Sequence, residues 1–222
     1  QADMEAVVRR SRGVADNMSK GVQYLFKKNN VELIAGLGSL TADKKVKVVD
    51  AEGVETVYEA EHIILATGCR VRQLPALPID GEKIISYRQA LVLDKLPETM
   101  VVVGSGAIGS EFAFFFTSMG VKVTLVEFMP NILPVEDEEV SKQVERCFKK
   151  LKMTVMTESS VTNVDTTGEK CVCTIETKKG PKVVEADIVL SAVGVQTNLE
   201  NLGLEELGIA TERGKVIVDD YY

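Results

Sequence analysis

The chain has 222 residues, 45% of them hydrophobic and 27% charged, which is typical of a folded globular protein and excludes collagen-like or low-complexity chains. This length allows one large domain or two modest ones. The formal net charge is −7, and the acidic excess lies in residues 98–222 with no basic stripe, so nucleic acid and anionic membranes are poor candidate partners.

The first part of the chain predicts a helix followed by short strands. Apolar residues in 3–29 recur at helical spacing, which favours a long amphipathic helix. The apolar run at 63–66 is typical of a strand buried on both faces. An irregular connection at 74–81 then leads to Pro97, which marks a boundary. The predicted strands are 31–37, 45–50, 55–58 and 63–66.

The second part alternates strand and helix before it changes to a β-meander. A helix pattern at 107–119 lies between two strand patterns, and the acidic residues 136–139 open a second helix that runs to about residue 150. After residue 156 the apolar period falls to two, as in half-buried antiparallel strands. The predicted strands are 100–103, 121–126, 153–156, 161–164, 170–177, 182–185 and 188–190.

Two segments of the chain resemble each other. Residues 59–68 and 185–194 each follow a meander and each join an apolar strand pattern to a closing glycine. The second segment is preceded by a glycine-rich turn at Gly104, and the matching turn of the first would lie before residue 1. The sequence therefore predicts two related nucleotide-binding folds, the first of them truncated.

The glycine-rich turn carries the clearest chemical signal. Residues 104–109 read Gly-Ser-Gly-Ala-Ile-Gly and match the dinucleotide-binding pattern between a predicted strand and a predicted helix. Gly104 permits the tight turn, Gly106 lets a pyrophosphate approach the backbone, and Gly109 lets the helix pack closely on the strand. The phosphates would bind free N–H groups at the start of the helix. The alternative is an ordinary strand–turn–helix with structural glycines.

An acidic residue indicates which dinucleotide is bound. Glu127 follows the second strand pattern, where a carboxylate binds the hydroxyls of the adenosine ribose and repels a 2′-phosphate. Sites for NADP favour an arginine in this stretch, but Lys122 is the only basic residue between 121 and 134. The sequence therefore predicts NAD rather than NADP.

Other reactive side chains are predicted to be structural. His62, the only histidine, has no evident catalytic partner, and Cys69 has no nearby base. Cys171 and Cys173 face the same way on one strand and could pair or bind metal, but no further Cys or His supports this. Because four cysteines form no disulfide framework and no signal peptide is evident, we expect a reducing, cytoplasmic setting.

The chain resembles the flavoprotein disulfide reductases over its whole length, and among them the dihydrolipoyl dehydrogenase family. We therefore expect it to be a central piece of such a protein. The resemblance rests on residues 64–68 followed by Leu74-Pro75, on 104–109 followed by Ser110-Glu111, on Val126-Glu127, on 192–194 with Asn198, and on Gly21-Val22 and residues 36–38.

The resemblance implies an α/β fold in which a Rossmann-like NAD-binding domain with a β-meander follows a truncated FAD-binding domain of the related three-layer ββα type. It assigns residues 1–97 to the FAD domain, 98–215 to the NAD domain and 216–222 to a strand returning to the FAD domain. The implied NAD contacts are Gly104, Ser105, Gly106, Ala107, Ile108, Gly109, Ser110, Glu111, Glu127, Val161 and Gly194, and the implied FAD contacts are Gly38, Thr67, Gly68 and Cys69.

The implied activity is oxidation of dihydrolipoyl groups, with hydride passing through FAD to NAD+. The implied partners are a lipoyl-bearing protein of a 2-oxo acid dehydrogenase or glycine cleavage complex and a second copy in a homodimer. Glu111, on the first turn of the predicted helix, would form an ion pair beside the flavin.

The chain also departs from the family pattern. Residues 1–222 contain neither the flavin-binding glycine motif nor the redox cysteine pair, so we expect this chain by itself to bind no flavin and to be inactive. Two alternatives remain open. One is another flavoprotein disulfide reductase of the glutathione or mercuric type, and the other is a non-catalytic NAD-binding module.

Overall fold

The computed structural model describes residues 3–222 and divides the chain into two compact units. The large unit comprises the chain up to Ala15 together with Val71–Gly194, and the small unit comprises Asp16–Arg70 together with Val195–Tyr222. These limits differ from the division at residues 97 and 215 that follows from cofactor binding, and that division stays a prediction.

The helices and strands of the chain are numbered in sequence order. They are α1 (Met4–Lys28), β1 (Leu37–Leu40), β2 (Val46–Val49), β3 (Glu55–Tyr58), β4 (Cys69–Val71), β5 (Ile84–Ile85), α2 (Tyr87–Ala90), β6 (Thr99–Val103), α3 (Ala107–Ser118), β7 (Lys122–Val126), α4 (Glu138–Lys150), β8 (Thr154–Met156), β9 (Ser160–Asp165), β10 (Cys171–Glu176), β11 (Lys182–Ala186), β12 (Ile188–Ser191), β13 (Val195–Thr197), β14 (Thr211–Glu212) and β15 (Lys215–Val216).

A parallel sheet of five strands, in the order β5-β12-β6-β7-β8, forms the centre of the large unit. Successive side chains of β6 point to opposite faces, and both faces are buried. Val102 packs in a cluster with Phe116 of α3 and Phe148 of α4. Val101 packs in a second cluster with Ile175 of β10. The helices therefore cover one face of the sheet, and the antiparallel sheet β9-β10-β11 covers the other.

The strands and helices predicted for the large unit are confirmed to within two residues at most ends. The acidic start of the second helix is also confirmed. Asp137 caps α4, and its carboxylate accepts hydrogen bonds from the N–H groups of Glu139 and Val140. Three layers built from a β-sheet, a β-meander and helices are the architecture expected for the NAD-binding part.

The small unit departs from the predictions at two apolar runs. Its antiparallel sheet β1-β2-β3 is as expected, but the strand predicted at 31–37 begins only at Leu37. The strand predicted at 63–66 is wrong: these residues join no sheet among the described residues, and Ile64 is 88% exposed. A strand needs a neighbour for its N–H and C=O groups, and the described chain offers none there. Only the second of the two similar segments, 185–194, therefore contains its strand.

The chain after residue 215 also differs from expectation. Val216 lies in β15, which pairs with β14 in a short hairpin. Residues 217–222 are all described and form no strand. All six residues are exposed, including Tyr221 and Tyr222.

The long helix α1 is confirmed, but most of its apolar stripe is exposed. Met4 is buried in the cluster that contains Phe116, whereas Val14, Met18 and Leu25 are exposed. Within residues 3–222, no helix is both long enough and apolar enough to cross a bilayer.

The buried thiols give a first prediction. Cys171 and Cys173 have no exposed surface, and burial raises the pKa of the Cys173 thiol to about 12. The thiolate is the reactive form, so both should resist a thiol reagent in the native protein, whereas exposed Cys69 and Cys147 should react. Titration with Ellman's reagent should count two fast thiols before unfolding and four after it. Four fast thiols in the native protein would contradict the burial of β10.

Candidate functional site

The candidate site lies where three neighbouring strands of the large unit end. Val103, the last residue of β6, pairs with Ser191 of β12 on one side and with Val126 of β7 on the other. The residues that follow these strands, including Gly104 and Glu127, therefore meet at one edge of the sheet. The chain runs from β6 to β7 and β8 on one side, while β12 lies on the other side. Ligands of open α/β sheets bind at such a reversal of strand order.

Two glycines of the turn are required by close packing. Gly104 has a φ of +96°, and a side chain there would clash with the carbonyl oxygen of Ala192. A side chain at Gly109 would clash with the carbonyl oxygen of Gly104. These contacts hold the start of α3 against the ends of β6 and β12, as the sequence predicts for the first and third glycines.

Gly106 differs from both of its neighbours in the motif. It precedes α3 with an extended backbone (φ −62°, ψ −175°), and beyond the adjoining backbone no described atom lies within 4 Å of the position that its Cβ would take. Its lack of a side chain therefore serves no packing inside the protein. The free space is what the predicted approach of a pyrophosphate requires.

The start of α3 is suited to bind an anion. The first turn of a helix leaves N–H groups without partners in the helix, and Gly106 has no side chain to cap them. The dipole of this 12-residue helix adds partial positive charge at the same end. A phosphate could bind here without a basic side chain.

Glu127 is buried beside this turn and bonded to it. The residue is only 6% exposed. Its Oε2 accepts hydrogen bonds from the backbone N–H of Ser105 at 2.8 Å and from Ser105 Oγ at 2.6 Å, while Oε1 accepts one from the N–H of Met129 at 2.8 Å. A buried carboxylate is stable only with such partners. The sequence placed an acid here but gave no sign that Ser105 would hold it.

Two further residues predicted for the NAD site lie near the same edge. Gly194 follows β12 with a φ of +103°, and no described atom would obstruct a side chain there. The N–H of Ser159 donates to the carbonyl oxygen of Glu127 at 2.9 Å. Val161 therefore lies two residues along the chain from a residue that is hydrogen-bonded to Glu127. Gly194 likewise comes two residues after Ala192, which lies against Gly104.

Glu111 is placed differently. It lies in the second turn of α3 and not in the first, because the helix begins at Ala107. Its side chain lines a cavity of about 280 Å³ together with Met4, Phe112 and Phe115. Glu111 itself is exposed, and its side chain makes no hydrogen bond with the cluster around Ser105.

The residues predicted to contact FAD lie in the small unit. Gly38 and Thr67 line one cavity of about 200 Å³. Thr67 Oγ1 donates to the carbonyl oxygen of Asn198 at 2.7 Å, and Asn198 donates from its side chain to Thr67 and from its backbone to Gly68. Cys69 comes next and is exposed. Gly38 and Thr67 are brought together, and Asn198 fixes the segment that contains Thr67.

An ion pair in the small unit was missed by sequence reasoning. Both nitrogens at the end of the Arg70 side chain donate to the carboxylate of Glu200, at 2.9 and 2.6 Å. These hydrogen bonds lower the pKa of Glu200 to about 2. The partners lie 130 residues apart, so no local spacing could have indicated the pair.

The remaining reactive side chains form no second site in the described chain. His62 is exposed, and its Nε2 lies 3.9 Å from Oε1 of Glu61, which is exposed as well. Across residues 3–222, no group of three or more His, Cys, Asp or Glu side chains is arranged to hold a metal ion.

Comparison with known proteins places this arrangement in a family. The family model described as pyridine nucleotide-disulphide oxidoreductase matches residues 2–222. The chain belongs to this family. It is 43% identical to dihydrolipoyl dehydrogenase of Rhizobium etli, over 99% of this chain and 49% of that protein, and 44% identical to dihydrolipoyl dehydrogenase of Chlorobaculum parvum, over 98% and 47%. The chain thus spans about half the length of the curated relatives it matches.

Solved structures agree with the fold. LpdA from Mycobacterium tuberculosis superposes with a TM-score of 0.88 at 31% identity, covering 96% of this chain and 47% of that one. The flavoprotein disulfide reductase RclA from Escherichia coli superposes at 0.81 with 24% identity and covers 98% and 49%, which is a likeness of fold alone. The resemblance to the flavoprotein disulfide reductases and the α/β fold class are confirmed.

The glycines give a second prediction. Gly106→Val should fold normally, because its side chain enters free space, but should lose NAD binding because it fills the space that a pyrophosphate needs. Gly109→Ala is the matched control: it should lower the free energy of unfolding by about 1–3 kcal/mol or more, because its methyl group meets the backbone of Gly104. Thermal unfolding and calorimetric titration would measure both. A Gly106→Val variant that binds NAD like the parent protein would show that the site lies elsewhere.

Proposed function

We propose that the chain supplies the NAD-binding part, and a portion of the FAD-binding part, of a dihydrolipoyl dehydrogenase. Such an enzyme oxidises dihydrolipoyl groups and reduces NAD+. The observation that carries the proposal is the carboxylate of Glu127, which is buried at the turn where β6 joins α3. Relatives that bear the name dihydrolipoyl dehydrogenase, at 43% and 44% identity, support the choice of reaction.

The residues present fit a dinucleotide. The free space at Gly106 and the uncapped start of α3 suit a pyrophosphate, and Glu127 suits a ribose hydroxyl. Residues 104–111, Glu127, Val161 and Gly194 would hold NAD. When bound, FAD would take up the electrons of the substrate and NAD+ would accept them as a hydride. The chain's own part is to bind the phosphates, orient the ribose and hold the negative charge of Glu127 in place.

The flavin contacts form a second part of the proposal. Gly38, Thr67, Gly68 and Cys69 would contact FAD, since the first two line one cavity and the last is exposed. Glu111, which is exposed at the edge of an apolar cavity, would form an ion pair with a lysine beside the flavin. On this view residues 1–97 belong to the FAD domain, 98–215 to the NAD domain, and 216–222 lead back to the FAD domain.

The proposed setting follows from the same assignment. The reduced substrate would arrive on a lipoyl-bearing protein of a 2-oxo acid dehydrogenase or glycine cleavage complex, and the whole protein would be a homodimer. Four free cysteines, two of them exposed, favour a reducing compartment, and we propose the cytoplasm.

A third prediction concerns the choice of dinucleotide. NADH should bind roughly tenfold or more tightly than NADPH, since a ribose hydroxyl donates to Glu127 whereas a 2′-phosphate is repelled by it. Glu127→Gln should reduce this preference, and Glu139→Gln, an exposed residue in the first turn of α4, is the control that should not change it. Calorimetric titration would measure the six affinities, those of the parent protein and of each variant for NADH and for NADPH. Equal or tighter binding of NADPH to the parent protein would refute the role of Glu127.

A fourth prediction tests the reaction. The full-length gene product should contain FAD, should reduce NAD+ with dihydrolipoamide, and should do so much more slowly with NADP+. Absorbance at 340 nm follows the reduction, and glutathione disulfide with NADPH is the control reaction. Turnover of glutathione disulfide in the absence of dihydrolipoamide activity would favour a different flavoprotein disulfide reductase.

A further inference from the structure

Ser105 is the residue of the glycine motif whose side chain contacts Glu127. We propose that Ser105 is a positioning residue that fixes the Glu127 carboxylate and thereby sets the preference for NAD over NADP. This inference rests on the proposed NAD site.

The first argument is the number of hydrogen bonds that Glu127 already accepts. A carboxylate has about four positions for acceptance, two on each oxygen. Ser105 fills both positions of Oε2, and the N–H of Met129 fills one of Oε1. One position remains, on Oε1. As long as Ser105 holds Oε2, Glu127 can therefore accept a single ribose hydroxyl at a fixed place.

The second argument is that Ser105 is itself held on both sides. Its carbonyl oxygen accepts a hydrogen bond from Ser110 Oγ at 2.9 Å, and another from the N–H of Leu133 at 3.0 Å. Ser105 has no exposed surface. One bond ties it to α3 and the other to the loop that follows Glu127, so Ser105 gives the carboxylate a rigid support.

The third argument separates the hydroxyl of Ser105 from its backbone. Ser105 is not among the residues with positive φ, so alanine can adopt the same conformation. Removal of the hydroxyl leaves Oε2 with only one of its two donors, in a place where water has little access. The carboxylate is then held by two hydrogen bonds instead of three, so its place is less firmly fixed. It binds a ribose hydroxyl less well and opposes a 2′-phosphate less strongly.

The test compares the affinities of NAD+ and NADP+, which do not reduce a bound flavin, by calorimetric titration. Ser105→Ala should weaken NAD+ binding roughly three- to tenfold and leave NADP+ binding equal or stronger, so that the ratio of the two affinities falls. Ser86→Ala is the matched control. It removes another buried serine hydroxyl, which donates to Gln89 Oε1 at 2.6 Å and touches neither Glu127 nor the residues that hold Ser105. The ratio should not change in this variant.

A double-mutant cycle distinguishes positioning from a merely structural role. If Ser105 acts through Glu127, Ser105→Ala should not change the affinity ratio further once Glu127→Gln is present. Circular dichroism would confirm that the variants fold. If Ser105→Ala does not fold, Ser105→Cys, which keeps a weak donor, replaces it and should lower the ratio by less.

The outcomes separate this inference from the proposed function. An equal loss of NAD+ and NADP+ affinity in Ser105→Ala, while Glu127→Gln still shifts the ratio, would overturn the role of Ser105 and leave the NAD site standing. A ratio that Glu127→Gln does not change would overturn both proposals. A fall in the ratio in Ser105→Ala that disappears in the double variant supports the inference.

Discussion

The close approach of three stretches of backbone is the constraint on which this site depends. Gly104 passes the carbonyl group of Ala192, and Gly109 passes that of Gly104, with no room for a side chain at either crossing. These two crossings set how near α3 lies to β6 and β12. Were they wider, the start of the helix would point away from the edge of the sheet, and its free N–H groups would not meet the end of β7.

The three layers of the large unit hold this edge of the sheet in place, but burying a charged group there costs free energy. The end of β7 is buried, and Glu127, which follows it directly, is therefore largely withdrawn from water. Glu127 is the charged residue that the described chain buries most completely, and three hydrogen bonds offset the loss of its hydration. Stability alone would often favour an apolar side chain at such a buried position, and a charge that is kept there is typical of a functional site.

Much of the large unit could be predicted because its signals are local. The period of apolar residues predicted β6, β7 and α3. The spacing of the glycines, with an acid after β7, indicated Gly106 and Glu127 as residues of the candidate site. The features that were mispredicted or missed depend on residues that lie far away in the sequence. The run at 63–66 reads as a strand, yet a strand exists only beside another, and the Arg70–Glu200 pair joins segments that no spacing relates. The bond from Ser105 to Glu127 has the same character, since a serine in the variable position of a motif carries no signal of its own.

The open position at Gly106 has a consequence for how the motif changes in evolution. The protein's own backbone requires glycine at positions 104 and 109, whereas packing inside the protein does not require it at Gly106, where the proposed nucleotide would lie. A descendant that no longer needed the nucleotide would keep the outer glycines and let the middle one drift. A side chain at that single position, in an otherwise intact motif, would mark a lineage that retained the fold after its ligand was lost.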